Sequence, residues 1–96
     1  MKVVLNCCYG GFSLSDEFIA KYPQFEEYNH SYDDSDRVDE NFIKALEKFG
    51  LDEASGSCAS LKIAEVPDDA TDWEITEYDG DETIIYVLDG KIHRAY

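Results

Sequence analysis

Basic residues are scarce in this sequence. Lysine and arginine together number 8 against 22 aspartates and glutamates, which leaves a formal net charge of −14. A chain this anionic is repelled by nucleic acid and by anionic membranes, so neither is expected as a direct partner. Long apolar runs are missing as well. Nothing approaches the ~18 residues that cross a bilayer. The opening Met1-Lys2-Val3-Val4-Leu5 lacks the length of a signal peptide, so the expected residence is cytoplasmic.

Cysteine is sparse and odd in number. Cys7 and Cys8 are adjacent and Cys58 stands alone, which is no secreted disulfide framework. With His30 and His93 they show no zinc-site spacing, because adjacent cysteines on a strand point apart. They read as buried free thiols. The acidic clusters Asp33-Asp34-Ser35-Asp36 and Asp79-Gly80-Asp81-Glu82 lack the twelve-residue calcium loop and read as solvated turns. No metal and no cofactor is expected.

What is present is enough for a core. Apolar residues make up 44% of the 96 positions, with five phenylalanines, seven tyrosines and one tryptophan. A chain of this length folds as one domain, residues 1–96. Lys2 to Cys8 reads as a buried strand that runs through Tyr9-Gly10-Gly11-Phe12 into a helix. Ser15 is its N-cap, Asp16 and Glu17 favour its positive end, and Pro23 ends it. Residues 24–37 read as a long acidic loop bearing Tyr28, His30 and Tyr32.

A second helix starts at the Asp39 N-cap. Phe42, Ile43, Leu46 and Phe49 form its apolar stripe, and Gly50 is placed for a left-handed terminus. The period then changes. Leu61–Val66, Trp73–Tyr78, Thr83–Leu88 and Lys91–Tyr96 read as strands, with Asp79-Gly80 and Asp89-Gly90 as tight turns. The expected fold class is α+β in the order β-α-α-β-β-β-β. Two helices are expected on one face of a four- or five-stranded mixed sheet, with the first strand central.

The glycine turn is the foremost candidate site. Free backbone N–H groups at a helix start can hold an anion. Tyr9, Gly10, Gly11, Phe12 and Ser13 form this turn, and Tyr9 and Phe12 could stack on a base. The plainer alternative is a tight strand-to-helix connection, since no phosphate-loop lysine follows. The few cations gain weight from their scarcity. Arg37, Lys62, His93 and Arg94 would make a cationic pocket if they converged on the turn; otherwise they neutralise nearby carboxylates.

Gly11-Phe12-Ser13-Leu14-Ser15 approaches a nucleophile elbow but lacks its final glycine. A hydrolase using Ser13 or Cys8 would need His30 or His93 as base, so the chain is expected not to be an enzyme. The stretch Glu65 to Glu82 carries nine acidic residues and no basic one. It could imitate a phosphate array or simply protect an edge strand from aggregation.

Several stretches carry a resemblance: Lys2-Val3-Val4-Leu5-Asn6, Cys8 through Ser15, Arg37 to Gly50, Ala54 through Ile63, Val66-Pro67-Asp68-Asp69, Glu77-Tyr78-Asp79-Gly80 and the His93-Arg94 ending. Their wording resembles a largely uncharacterised family of small phage and prophage proteins with the N-terminal pattern KVVxNxCYGGFxLS. The chain departs from it in extra hairpin length at Asp89 to Ile92 and in ending on Tyr96, where Trp is commoner. The resemblance implies a phage protein at work in a bacterial host and transfers no catalytic residue.

The leading expectation is a non-enzymatic counter-defence protein that sequesters an anionic small ligand, such as a nucleotide immune signal. The alternative is an acidic inhibitor that blocks a basic surface on a host defence or nucleic-acid enzyme. A homo-oligomer is compatible with both.

Overall fold

The computed structural model describes all 96 residues. β1 (Lys2–Asn6) pairs antiparallel with β2 (Leu61–Glu65), placing Val4 opposite Ile63. β3 (Asp72–Tyr78), β4 (Asp81–Leu88) and β5 (Lys91–Ala95) form a separate antiparallel meander. The helices are α1 (Asp16–Lys21), α2 (Asp34–Arg37), α3 (Glu40–Phe49) and α4 (Leu51–Ala54), with a 3-10 segment at Pro23–Tyr28. The class is α+β, and the strand order along the chain follows expectation.

The sheet itself does not. Two small antiparallel sheets replace the single mixed sheet, and β1 has one strand neighbour instead of two. The reason lies on the free edge of β1. Arg37 donates to the Val4 carbonyl at 3.3 Å, and the Asn6 N–H donates to Glu82 Oε1 at 2.8 Å. Side chains satisfy the edge groups that a second strand would otherwise pair. Residues 24–37 also depart from the expected loop. The 3-10 segment buries Phe25, and the single turn of α2 buries Arg37.

β1 is nonetheless the middle layer. Successive side chains on a strand point to opposite faces. Val4 joins Phe12, Leu14, Phe18, Phe25, Phe42 and Leu46 under the helices, while Val3 and Leu5 join Ala64, Val66 and Ile84 against the meander. The helical side is dominated by aromatic rings, with Phe18 packed edge-on to Phe42 and Phe49. Each such buried ring contributes on the order of 2–3 kcal/mol.

Local signals act where expected. Ser15 Oγ accepts from the Phe18 N–H at 3.1 Å, and Asp39 Oδ1 accepts from Asn41 and Phe42. Asp79-Gly80 and Asp89-Gly90 have positive φ at both positions, the backbone of type I′ hairpins. Gly50 has φ 104° and ψ 125°, outside the left-handed helical region, and separates α3 from α4. No helix is long and apolar enough to cross a membrane.

Candidate functional site

The glycine turn is built against the β3–β4 hairpin. The Gly10 N–H donates to the Asp79 carbonyl at 3.0 Å. A Cβ on Gly80 would lie 2.2 Å from the Gly11 nitrogen, and one on Gly10 would lie 2.7 Å from Cys58 Cβ. Backbone therefore meets backbone at a distance that only glycine permits. The Leu14 N–H donates to Asn29 Oδ1, and the Ser15 N–H to the Ala54 carbonyl. The donors at Gly10, Leu14 and Ser15 are spent within the chain.

Asn6 fixes the strand end beneath this turn. It is fully buried. Its Nδ2 donates to the carbonyls of Cys8 and Gly80, and its Oδ1 accepts from the Ser60 N–H. One amide thus ties β1, the 55–60 loop and the β3–β4 turn together.

Next to it lies a buried ion pair. Both carboxylate oxygens of Glu82 accept from the Arg37 guanidinium, through Nη1 and through Nη2 at 2.7 Å. Each side chain is 2% exposed. Nη2 also donates to the Ser31 carbonyl at 2.9 Å, and the guanidinium lies 3.8 Å from the centre of the Phe12 ring. Arg37 Nε has no partner. Bidentate geometry and the ring face suit arginine and not lysine.

The cations do not gather at the turn. Arg37 points inward to Glu82. Lys62 is half-buried on β2, opposite Leu5. His93 stacks on Tyr86 across β4 and β5, with ring centres 5.3 Å apart. Arg94 is exposed on β5, opposite Ile85. Phe12 lies in the core and carries the guanidinium on its face. Tyr9 is 64% exposed.

Ser13 and His30 line one open polar groove, together with Asp16, Glu17 and Ser57. No hydrogen bond joins Ser13 to His30. His30 holds φ 61°, an uncommon backbone state for a non-glycine residue. The Cys7 thiol donates to the Glu82 carbonyl at 3.8 Å. Burial pushes its pKa up, Asp81 adds to the rise, and Lys62 opposes it. No three His, Cys, Asp or Glu side chains are grouped to hold a metal ion.

Sequence reasoning missed the Arg37–Glu82 pair. A signal was there. Alternation along β4 puts Glu82 on the same face as Ile84 and Tyr86, the face that meets the core. An inward glutamate requires a buried cation, and Arg37 is one of only eight basic residues. No protein-family model, curated protein or solved structure matches the chain.

Proposed function

We propose that this chain acts by binding, as a non-enzymatic acidic inhibitor that occupies a basic surface on a host defence or nucleic-acid enzyme. The observation that carries the reading is the fate of the carboxylates between Glu65 and Glu82. Glu82 turns inward to Arg37. Glu65, Asp68, Asp69, Asp72, Glu74, Glu77 and Asp79 are exposed. Glu65 ends β2, Asp68 and Asp69 lie in the connection to β3, Asp72, Glu74 and Glu77 are on β3, and Asp79 is in the turn that follows it. Among them only Asp68 forms an ion pair, with the N-terminal ammonium. Unpaired carboxylates on a rigid strand can follow a cationic cleft as a phosphate backbone does. The resemblance to small phage proteins supports a counter-defence setting in the bacterial cytoplasm.

The test is DNA cleavage by purified host defence nucleases in the presence of the protein. Inhibition should fall steeply as salt rises from about 50 to about 500 mM. A variant with Asp72→Asn, Glu74→Gln and Glu77→Gln should inhibit far less. Inhibition unchanged by that variant would defeat the proposal.

Sequestration of an anionic small ligand is the second reading, favoured by the exposed Tyr9 ring beside the glycine turn. Its cations are reduced to Lys62 on β2 and to His93 and Arg94, which point to opposite faces of β5. Native mass spectrometry with linear and cyclic nucleotides tests it, and the absence of any bound species ends it.

A further inference from the structure

Two of the scarce cations do converge, on a groove away from the glycine turn. α3 and the 3-10 segment form its walls, with about 600 Å³ between them. Helical spacing explains the α3 wall. Asn41, Lys44, Ala45 and Lys48 stand at i, i+3, i+4 and i+7, so they share one face. The opposite wall follows a tighter period. A 3-10 helix has three residues per turn, which puts Tyr22, Phe25 and Tyr28 in one row. Ring centres in that row are 6.3 Å and then 5.3 Å apart. Tyr22 and Tyr28 are only half-buried, so part of each ring is open to the groove.

Charge in this groove runs against that of the molecule. Lys44 and Lys48 are exposed, and neither has an ion-pair partner within the chain. Asp39 is the one carboxylate in the lining. It already accepts from the Tyr28 hydroxyl and from the Asn41 and Phe42 N–H groups. Glu40 and Glu47 lie in the neighbouring groove, where Glu47 pairs with Lys2 at 3.0 Å, and Lys44 borders both. Glu26 and Glu27 line a separate groove beyond Gln24. Two ammonium groups against one engaged carboxylate thus face three aromatic rings, on a chain of charge −14.

We propose that this groove binds a planar aromatic anion of the nucleoside monophosphate class, its base against Tyr22 and Tyr28 and its phosphate between Lys44 and Lys48. Lysines one turn apart, with Cβ atoms about 5–6 Å from each other, can reach different oxygens of one phosphate. Ala45 beside them is short and leaves room for its approach. The aromatic part is required. The overall charge opposes any anion, so two exposed lysines alone hold inorganic phosphate weakly. Stacking of a base on aromatic rings adds affinity that does not depend on charge. The volume falls within the roughly 300–1,000 Å³ of small-molecule sites. The groove is open on one side, which puts the expected Kd near about 0.1–1 mM. The proposal rests on the second reading above, sequestration of an anionic small ligand, and moves it from the glycine turn to α3. It is independent of the acidic-inhibitor reading.

Amide chemical shifts of the full chain, titrated with AMP to about 5 mM, test this. AMP should give saturable shifts at Tyr22, Phe25, Tyr28, Lys44 and Lys48, and the affinity should fall as salt rises. Adenosine and inorganic phosphate should each bind at least about tenfold more weakly than AMP. Lys44→Gln combined with Lys48→Gln, both at exposed positions, should weaken AMP binding at least about tenfold with the fold intact by circular dichroism. Lys91→Gln removes a charge from exposed β5 and should change binding less than about twofold. The absence of any saturable shift overturns both the site and the sequestration reading. Saturable shifts confined to residues 9–13, or AMP binding unaltered in the double variant, overturn the site and leave that reading standing. Inorganic phosphate binding as tightly as AMP would mean an adventitious ion only, which also overturns the proposal.

Discussion

Arg37 and Glu82, 45 positions apart, meet as a bidentate ion pair at the free edge of β1. Between them they supply that edge with a donor for Val4 and an acceptor for Asn6. An ion pair here occupies the place of a neighbouring strand. It also pins α2 and the Ser31 carbonyl to the sheet layer.

Removing either partner alone strands the other as a buried charge. Arg37→Ala or Glu82→Ala should each cost about 3–5 kcal/mol. Domains of this size have only about 5–15 kcal/mol in all. The double variant should cost clearly less than the sum of the two, because the residues share one interaction. Urea denaturation of the three variants measures this. Single costs below about 1 kcal/mol would mean that the pair is not formed in solution.

Tyr28 and Asp39 predict a pH response at both ends of the range. The Tyr28 hydroxyl donates to Asp39 Oδ2 at 2.6 Å. That bond pushes the Tyr28 pKa up to about 12 and, with the Phe42 N–H, lowers that of Asp39. A raised phenol stabilises the fold fully below its unfolded value near 10, and the benefit is lost as pH rises towards about 12. A lowered carboxyl stabilises above its unfolded value, and the benefit is lost as pH falls through the folded one. Tyr28→Phe should therefore flatten the alkaline decline in thermal midpoint and soften the acid one. Identical pH profiles for parent and variant would show that the bond is absent.

The same contrast between near and distant contacts explains what the sequence made legible. Ser15, Asp39, Asp79-Gly80 and Asp89-Gly90 act on atoms a few residues away, so their roles follow from residue type and spacing. The β1–β2 pairing joins segments some 60 positions apart, and no local signal specifies it. Residues 24–37 look polar along the chain. Phe25 and Arg37 tie that segment down through partners elsewhere in the fold. For the candidate site, the glycine turn was legible as backbone that needs positive φ, but its covering by Gly80 and Cys58 was not. The convergence of cations was a condition on tertiary structure, and the need of Glu82 for a partner decided where Arg37 went.

Thiol reactivity should rank the three cysteines by their surroundings. Cys58 is exposed, whereas Cys7 and Cys8 are half-buried. Burial and the nearby Asp81 raise the Cys7 pKa, so its thiolate is rarer than usual at neutral pH. Iodoacetamide followed by peptide mass spectrometry should find Cys58 alkylated first and Cys7 last. Cys7 reacting as fast as Cys58 in the native protein would contradict its partial burial just past the end of β1.

Two glycines in equivalent hairpin turns allow the apposition at the glycine turn to be isolated. Gly80 has φ 89° and Gly90 has φ 73°, so alanine at either position carries a similar backbone penalty, about 1–2 kcal/mol. Their surroundings differ. A Cβ at Gly90 meets nothing within 4 Å, while one at Gly80 would sit 2.2 Å from the Gly11 nitrogen and 2.9 Å from the Gly10 nitrogen. Gly90→Ala should therefore show the backbone penalty alone. Gly80→Ala should lose that amount and more, because the hairpin must lift off the turn and break the Gly10–Asp79 and Asn6–Gly80 hydrogen bonds. Amide hydrogen exchange locates the damage: Gly10 should lose protection in G80A and keep it in G90A. Equal destabilisation of the two variants, with Gly10 protected in both, would mean that the hairpin does not rest on the turn.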